Sequence, residues 1–204
     1  TNTNWSEIRA GSGVMVGRKS DGTIWTAGGG DSYGVTGVLN RTSSPSQVGS
    51  LTDWYKITNT DQCSGAIKTD GSLWTWGKNG YGELGNGTTS GKYSPSQVGT
   101  LTDWSDISYG YYHTHALALK TNGSLWAWGC GENGALGNGT AIPKSSPIQI
   151  GALTDWMKIQ GGYNFSAAIK TDGTLWTWGQ NSYGQLGDGT LVDNMHIHTE
   201  AWGK

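Results

Sequence analysis

The four histidines of this chain come in two pairs that could bind a metal ion. His113-x-His115 and His196-x-His198 each place two imidazoles on the same side of a strand if the segment is extended. Two imidazoles supply half of a tetrahedral metal site, which needs further histidine, cysteine or carboxylate ligands. Because no third ligand recurs beside either pair, the sequence predicts no metal site.

The residues that serve as nucleophiles or as general acids are equally scattered. Cys63 and Cys130 fall at different positions of the repeat described below, and no third residue is placed to orient a cysteine–histidine pair. The sequence leaves open whether the two cysteines form a disulfide. Asp21, Asp70 and Asp172 each precede a glycine, which is typical of tight turns. We therefore predict no catalytic residues and no cofactor, and we expect the protein not to be an enzyme.

The dominant feature of the 204 residues is an internal repeat. A Trp-x-x-Ile motif recurs at intervals of 49, 50 and 52 residues, with its tryptophans at Trp5, Trp54, Trp104 and Trp156. A second tryptophan follows an Asp-Gly or Asn-Gly turn in each copy, at Trp25, Trp74, Trp126 and Trp176. We predict a single domain over residues 1–204, built from repeats at approximately 1–50, 51–100, 101–152 and 153–204.

Each repeat has the pattern of a small antiparallel sheet. Asp-Gly and Asn-Gly favour the type I′ turns of hairpins, and the alternation in residues 72–76 is typical of a strand. The 35 glycines, the 12 tryptophans and a charged fraction of only 14% also favour an all-β fold. One sheet cannot bury its aromatic face alone, so the sheets must stack as β-propeller blades. We predict a four-bladed ring or a partial propeller completed by another chain, with the repeated tryptophans in its structural core.

The repeated segment resembles a known family. Residues 70–88 read Asp-Gly-Ser-Leu-Trp-Thr-Trp-Gly-Lys-Asn-Gly-Tyr-Gly-Glu-Leu-Gly-Asn-Gly-Thr, and residues 172–190 repeat them almost letter for letter. This motif resembles the regulator of chromosome condensation repeat family. The abundance of Gly, Thr, Asn and Trp resembles the Trp-rich bacterial and phage versions of that repeat. The resemblance implies propeller blades, usually seven to a ring, whereas four copies stand here.

Charge and hydropathy argue against two classes of partner. The chain has 13 basic and 15 acidic residues, a net charge of −2, and no run of Lys or Arg that would bind nucleic acid. No apolar stretch approaches the roughly 20 residues that span a bilayer, and the first residues show no signal-peptide pattern. We therefore expect neither a nucleic-acid partner nor a membrane span.

Departures from the repeat indicate a candidate binding surface. The third copy has two extra residues in segment 109–115, which is rich in tyrosine and histidine. The corresponding segments are 59–63 in the second copy and 161–165 in the fourth. Variable loops on a constant scaffold commonly form binding sites. We therefore predict these binding residues: Tyr109, Tyr111, Tyr112, His113, His115, Asp61, Gln62, Tyr163, Asn164 and Phe165.

These observations favour a non-enzymatic propeller scaffold that binds a protein or a glycan, or that serves as a structural module. The Trp-rich versions of the repeat imply an extracellular, cell-surface or virion location. One alternative is guanine-nucleotide exchange on a small GTPase, the activity of the family's eukaryotic namesake. Another is a propeller-based hydrolase or lyase, which would need converging acid and base residues. Homo-oligomerisation, or completion of the propeller by another chain, would cover the sheet faces at the two ends.

Overall fold

The computed structural model describes residues 4–29, 34–37, 42–111 and 115–198. They form four antiparallel sheets of four strands, and in every sheet the strands lie in sequence order. The first two sheets comprise β1 (Trp5–Ala10), β2 (Val14–Lys19), β3 (Ile24–Gly28), β4 (Thr42–Gln47), β5 (Trp54–Asn59), β6 (Cys63–Lys68), β7 (Leu73–Gly77) and β8 (Lys92–Gln97). The last two comprise β9 (Trp104–Tyr109), β10 (His115–Lys120), β11 (Leu125–Gly129), β12 (Lys144–Gln149), β13 (Trp156–Gly161), β14 (Phe165–Lys170), β15 (Leu175–Gly179) and β16 (Asn194–His198).

Helical structure is confined to one 3₁₀ turn, Glu132–Gly134, in the part of the chain that the structure describes. None of the described residues belongs to a helix with the length and apolar character needed to cross a membrane.

The hairpin between the second and third strands of each sheet is closed by its own side chains. In the second sheet the Asp70 carboxylate accepts hydrogen bonds from the backbone N–H and the hydroxyl of Ser72, at 2.9 and 2.6 Å. The same hydroxyl accepts a hydrogen bond from the indole N–H of Trp74 at 2.9 Å. Gly71 has a φ of +80°, and a Cβ there would collide with the carbonyl oxygen of Thr102. The turn therefore requires glycine and fixes the orientation of Trp74.

A lysine at the end of each second strand lies against the tryptophans of its sheet. The Lys68 ammonium is 4.5 Å from the centroid of the Trp74 ring and 3.3 Å from the Asp53 carboxylate. Trp54 meets Trp74 edge to face, with the ring centroids 5.9 Å apart. The later sheets repeat this arrangement with Asp103, Lys120 and Trp126, and with Asp155, Lys170 and Trp176. The aspartates before the last three Trp-x-x-Ile motifs thus stabilise the scaffold.

The four sheets stack side by side in an arc. Strands β5, β9 and β13 each pack against the first two strands of the preceding sheet, so the first strands lie nearest the common axis. Three apolar clusters fill the interfaces between successive sheets. Among the described residues, no strand of the first sheet packs extensively against the fourth. The predicted all-β fold of propeller blades is confirmed, and the sheets form a partial propeller rather than a closed ring.

Successive sheets are joined by a buried indole. In each of the last three sheets, the second tryptophan of strand three donates its N–H to a carbonyl in a Gly-x-x-Gly loop of the preceding sheet. These bonds run from Trp76 to Val35, from Trp128 to Glu83 and from Trp178 to Ala135, each at 2.9 Å. At Gly85, the last residue of one such loop, φ is +66° and an added Cβ would lie 2.8 Å from the Trp128 nitrogen. The interface therefore needs both the indole and the glycine.

Each of these loop carbonyls accepts a second hydrogen bond, from a hydroxyl group. In two interfaces the donor is a serine on the second strand, Ser64 to Val35 and Ser166 to Ala135, both at 2.8 Å. The third sheet has Ala116 at the serine position. There the hydroxyl of Tyr109, on the neighbouring strand, donates to the Glu83 carbonyl at 3.2 Å. Tyr109 thus supplies the donor that Ala116 lacks.

This exchange of donors predicts the behaviour of two substitutions. Tyr109→Phe should lower the free energy of unfolding by about 1 kcal/mol, because it removes one neutral hydrogen bond and keeps the ring. Ala116→Ser should recover part of that loss in the Tyr109→Phe chain and add little to the wild-type chain. Urea denaturation of the four chains measures these differences. An equal effect of Ala116→Ser in both backgrounds would show that the two hydroxyls do not share the carbonyl.

Candidate binding surface

The variable loops meet at one end of the arc. Because the strands of each sheet run alternately up and down, the loops after the first strands share an end with the loops after the third strands. The Asp-Gly and Asn-Gly turns lie at the opposite end. Segments 59–63 and 161–165 and the described residues 109–111 and 115 therefore lie at the same end, close to the axis.

Tyr111 and Tyr163 are exposed aromatic residues in the loops after the first strands, and Tyr183, in a loop after a third strand, is another exposed aromatic residue at this end. The backbones of Tyr111 and Tyr163 pair in a parallel bridge, and the Tyr111 N–H donates to the Gly162 carbonyl at 3.0 Å. The Tyr111 hydroxyl donates to the carbonyl of Ala10 in the first sheet at 3.2 Å. The two residues nevertheless remain 41% and 47% exposed. Tyr111 of the third sheet is thus anchored on two sides, and it and Tyr163 of the fourth sheet still offer their rings to solvent.

Tyr111 also lines a cleft of about 430 Å³ that follows the axis of the arc. The ammonium group of Lys56 pairs with the Asp106 carboxylate at 2.7 Å, which joins the second sheet to the third within the cleft. Arg9 pairs with a glutamate of its own strand at 2.8 Å. Gln160 of the fourth sheet adds an exposed amide. The cleft is therefore polar, with charges that are largely paired, and it suits a ligand that forms hydrogen bonds.

Two of the predicted binding residues, Tyr109 and His115, lie in the interior. Burial raises the pKa of the Tyr109 hydroxyl, and the nearby Cys63 and Glu83 raise it further. Burial lowers the pKa of His115 to about 4. Its Nε2 lies 2.8 Å from the Ser166 hydroxyl, which donates its own proton to a loop carbonyl and so accepts from Nε2–H. Both side chains bond within the fold, so we leave them out of the candidate surface.

The loop of the second sheet contributes polar groups at the same end. Asp61 and Gln62 are both half-buried. The amide oxygen of Gln62 accepts a hydrogen bond from the Lys78 ammonium at 2.9 Å. This loop therefore holds a polar cluster on the same rim as Tyr111 and Tyr163.

The remaining predicted residues contribute less exposed surface. Asn164 is buried with a φ of +54°, and its side-chain amide lies 3.4 Å from the Asn133 amide oxygen. Phe165 is half-buried, with its ring against the backbone of Gly162. Tyr112 and His113 lie outside the described residues.

The residues considered for nucleophile and metal chemistry remain apart as far as the structure describes them. Cys63 and Cys130 are both buried and form no disulfide. The Cys63 thiol donates to the Lys78 carbonyl at 3.2 Å, and burial raises the pKa of the Cys130 thiol. Within residues 4–29, 34–37, 42–111 and 115–198, no group of three metal-ligating side chains comes together.

The sequence analysis does not identify the cleft residues Lys56, Asp106 and Gln160. They lie on the first strands, two or four positions after the motif tryptophan, with their side chains toward the axis. The sequence does contain a pattern that could have pointed to this surface. The position two residues after the motif tryptophan changes the sign of its charge from copy to copy, and holds Glu7, Lys56, Asp106 and Lys158. Such variation between constant core positions indicates a surface that is not part of the repeated packing.

The fold and its loop-bearing end define a repeat scaffold of the β-propeller type. One family model of the regulator of chromosome condensation (RCC1) repeat matches residues 70–117 and 122–169. A second model of this repeat matches residues 104–135 and 158–185. Together the matches extend over more than half of the sequence. The chain belongs to the RCC1 repeat family, which confirms the resemblance seen in the motifs.

Curated relatives of this chain are much longer proteins. The E3 ubiquitin-protein ligase HERC2 of Homo sapiens is 36% identical over 107 residues, which is 50% of this chain and 2% of that protein. The mitochondrial RCC1 domain-containing protein RUG3 of Arabidopsis thaliana is 37% identical over 92 residues, 44% of this chain and 20% of its own length. Human protein RCC2 is 37% identical over 87 residues, 41% of this chain and 16% of RCC2. The chain therefore spans a fifth or less of these relatives.

Solved structures share the fold over the whole chain. Human WBSCR16 superposes with a TM-score of 0.84 at 24% identity, covering 98% of this chain and 54% of WBSCR16. Prp20p of Saccharomyces cerevisiae superposes with a TM-score of 0.87 at 17% identity, covering 100% of this chain and 52% of Prp20p. The four sheets thus correspond to about half of each of these folds.

The buried His115 predicts a specific dependence of stability on pH. In the unfolded chain its pKa returns to about 6.5, whereas in the folded protein it is about 4. The unfolded state therefore binds more protons in this range, and stability falls as the pH drops from about 6.5 toward 4. The contribution approaches about 3 kcal/mol at the acid end.

His115→Val removes this titration and uses the residue that the first sheet has at the same position, Val14. We expect the stability of the variant to fall less than that of the wild-type chain between pH 7 and pH 4.5. Urea denaturation at both values measures the difference, and the carboxylates common to both chains cancel in the comparison. Identical pH dependence in the two chains would refute the role assigned to His115.

Proposed function

We propose that this chain is a non-enzymatic scaffold that binds a protein partner at the end of the arc bearing Tyr111 and Tyr163. The observation that carries the proposal is that both exposed rings are held by a backbone bridge beside a polar cleft. Tyrosine supplies a large contact area at a low cost in conformational freedom and is enriched in binding hot spots. A partner would contact the rings at the rim and form hydrogen bonds within the cleft.

The paired charges of the cleft support binding rather than catalysis. Lys56 and Asp106 neutralise each other, because the ammonium nitrogen and the carboxylate oxygen lie 2.7 Å apart. Gln62 and Lys78 likewise bond to each other at the rim. Such contacts select a complementary surface by its pattern of hydrogen bonds and charges.

A protein partner also agrees with a structurally similar chain. The structure of Prp20p was reported with its binding properties to Gsp1p and histones. At 17% identity the likeness concerns the fold, so it supports the class of partner and names none. Guanine-nucleotide exchange on a small GTPase is the second candidate, because the chain belongs to the RCC1 repeat family, whose eukaryotic namesake has this activity.

We further propose an extracellular, cell-surface or virion location. The support is compositional: 14% charged residues with abundant glycine and tryptophan, as in the Trp-rich versions of the repeat. Antibody labelling of intact and of permeabilised source material tests this location, and labelling only after permeabilisation contradicts it.

Substitution of the exposed tyrosines tests the binding surface. A labelled wild-type chain is applied to a protein microarray and to a glycan array, and each captured partner is titrated. Replacing both Tyr111 and Tyr163 with Ala should weaken protein binding about thirtyfold, or ~2 kcal/mol. Tyr55→Ala is the matched control, because Tyr55 is also exposed but lies near the opposite end of its strand.

The other outcomes distinguish the alternatives. Equal weakening by Tyr55→Ala, or none by the double substitution, contradicts the surface. Capture by glycans alone replaces the protein partner with a carbohydrate. Release of a fluorescent guanine nucleotide from a panel of small GTPases, accelerated by the wild-type chain, favours the second candidate.

A further inference from the structure

A groove of about 300 Å³ opens between the second and the third sheet, and it shares no residue with the candidate binding surface. One wall is the outermost strand of the third sheet, β12, at Ser146 and Pro147. The other wall is formed by the loop of the second sheet around Asn86 and by the connection between the two sheets, which includes Leu101. Both flanking sheets belong to the described chain, so the groove lies within the arc and not at one of its ends.

Apolar groups form much of the lining of this groove. The Trp126 ring is half-buried there, and its indole N–H already donates to the Ser124 hydroxyl at 2.9 Å, so the ring offers the groove its carbon atoms. Leu101 is 48% exposed and Pro147 is half-buried. None of the described residues that line the groove carries a charge. The groove therefore suits a neutral ligand that has an apolar face.

Two polar side chains of the groove have unused hydrogen-bonding groups. The amide oxygen of Asn86 is held in place by the Asn79 amide at 3.2 Å and by the backbone N–H and the hydroxyl of Thr88 at 3.1 and 2.7 Å. The Nδ2 of Asn86 has no acceptor among the described residues, and the exposed Ser146 hydroxyl has no partner among them. Asn86 therefore presents N–H donors whose position is fixed by its own loop.

The corresponding space between the third and the fourth sheet is filled. His196 stands there in place of Ser146, and a Cβ added to Gly139 would collide with the His196 ring. At Gly87, which corresponds to Gly139, an added Cβ would meet only the Ser146 hydroxyl oxygen, at 3.6 Å. Gly87 is accordingly exposed, whereas Gly139 is half-buried. The small side chain of Ser146 thus leaves open a space that a histidine closes in the next interface.

We propose that this groove is a binding site for one ring of a neutral sugar. A pyranose ring has an apolar face of C–H groups and carries hydroxyl groups around its edge, which matches an aromatic lining with a few polar groups. Trp126 and Leu101 contact the apolar face, and the Asn86 Nδ2 and the Ser146 hydroxyl bind the sugar hydroxyls. An apolar side chain of a protein would instead cover both polar groups without giving them a partner, which is unfavourable. This inference does not depend on the proposed function.

Titration with simple sugars tests the proposal. The panel consists of the α and β methyl pyranosides of glucose, galactose, mannose and N-acetylglucosamine, with glucuronate as a charged comparison. Each compound is added to the nitrogen-15-labelled chain, and the nuclear magnetic resonance signals of the protein are followed. With at least one neutral glycoside, the Trp126 indole N–H and the Asn86 side-chain amide should shift with the same dissociation constant.

Asn86→Asp removes the amide donor and keeps the loop. The fourth sheet has Asp188 at this position, and its carboxylate accepts the same bonds from the N–H and the hydroxyl of Thr190, both at 2.9 Å. The affinity for the sugar should fall at least about tenfold. Asn138→Asp is the matched control, because Asn138 forms the same turn beside the space that His196 fills and the substitution adds the same charge. This control should leave the affinity unchanged.

Ser146→His closes the groove with the residue found in the next interface, and it should abolish the shifts. Replacing both Tyr111 and Tyr163 with Ala should leave the sugar affinity unchanged, which separates this site from the candidate binding surface. Circular dichroism and thermal unfolding verify that each variant is folded. Should Ser146→His not fold, the comparison of Asn86→Asp with Asn138→Asp decides the question.

Three results would overturn the proposal. One is that no neutral glycoside of the panel shifts the signals of Trp126 and Asn86. Another is sugar binding of undiminished affinity in the folded Ser146→His or Asn86→Asp chain, which would place the site elsewhere. The third is a shift of the same signals by glucuronate alone, or by a proline-rich peptide and by no sugar, which would assign the groove to another class of ligand.

Discussion

The hydrogen bond from a buried indole to a loop carbonyl is the constraint on which the stacking of the sheets depends. A backbone carbonyl buried between two sheets must find a donor, because an unsatisfied one costs about 1–3 kcal/mol. Trp128 meets this need at Glu83, and its ring fits only because Gly85 has no side chain. In every interface of the described chain, a buried indole N–H donates to the carbonyl at the corresponding position of the loop. The repeat is thus constant where sheets meet and free to vary in the loops at one end.

The third sheet shows how variation near this constraint is tolerated. Ala116 removes the serine hydroxyl found in two other sheets, and the phenol of Tyr109 occupies the opening and supplies a hydroxyl to the same carbonyl. His115 behaves similarly at the next interface, where it donates to Ser166 in a fully buried position. Of the described residues in this aromatic-rich segment, Tyr109 and His115 therefore serve as packing, and Tyr111 reaches the solvent-exposed rim.

The exposed rim and the axial cleft combine residues from separate sheets. Tyr111 and Tyr163 belong to different repeats and are joined by a backbone bridge. Lys56 and Asp106 lie 50 residues apart and meet because their strands are neighbours at the axis. The surface is consequently as rigid as the stacking of the sheets, which suits recognition by a fixed pattern of aromatic and polar groups.

The sequence by itself determined the period of the repeat, the antiparallel sheets and the positions of the tryptophans. These features are local, since an Asp70-Gly71 turn and the alternation of strand residues depend on near neighbours. Only the tertiary structure decided that Tyr109 and His115 are buried while Tyr111 is exposed, because burial depends on which loop of the adjacent sheet covers a side chain. It also decided the arc and the pairing of Lys56 with Asp106. Those contacts join residues in different repeats, and no rule of local spacing specifies how far one sheet is rotated against the next.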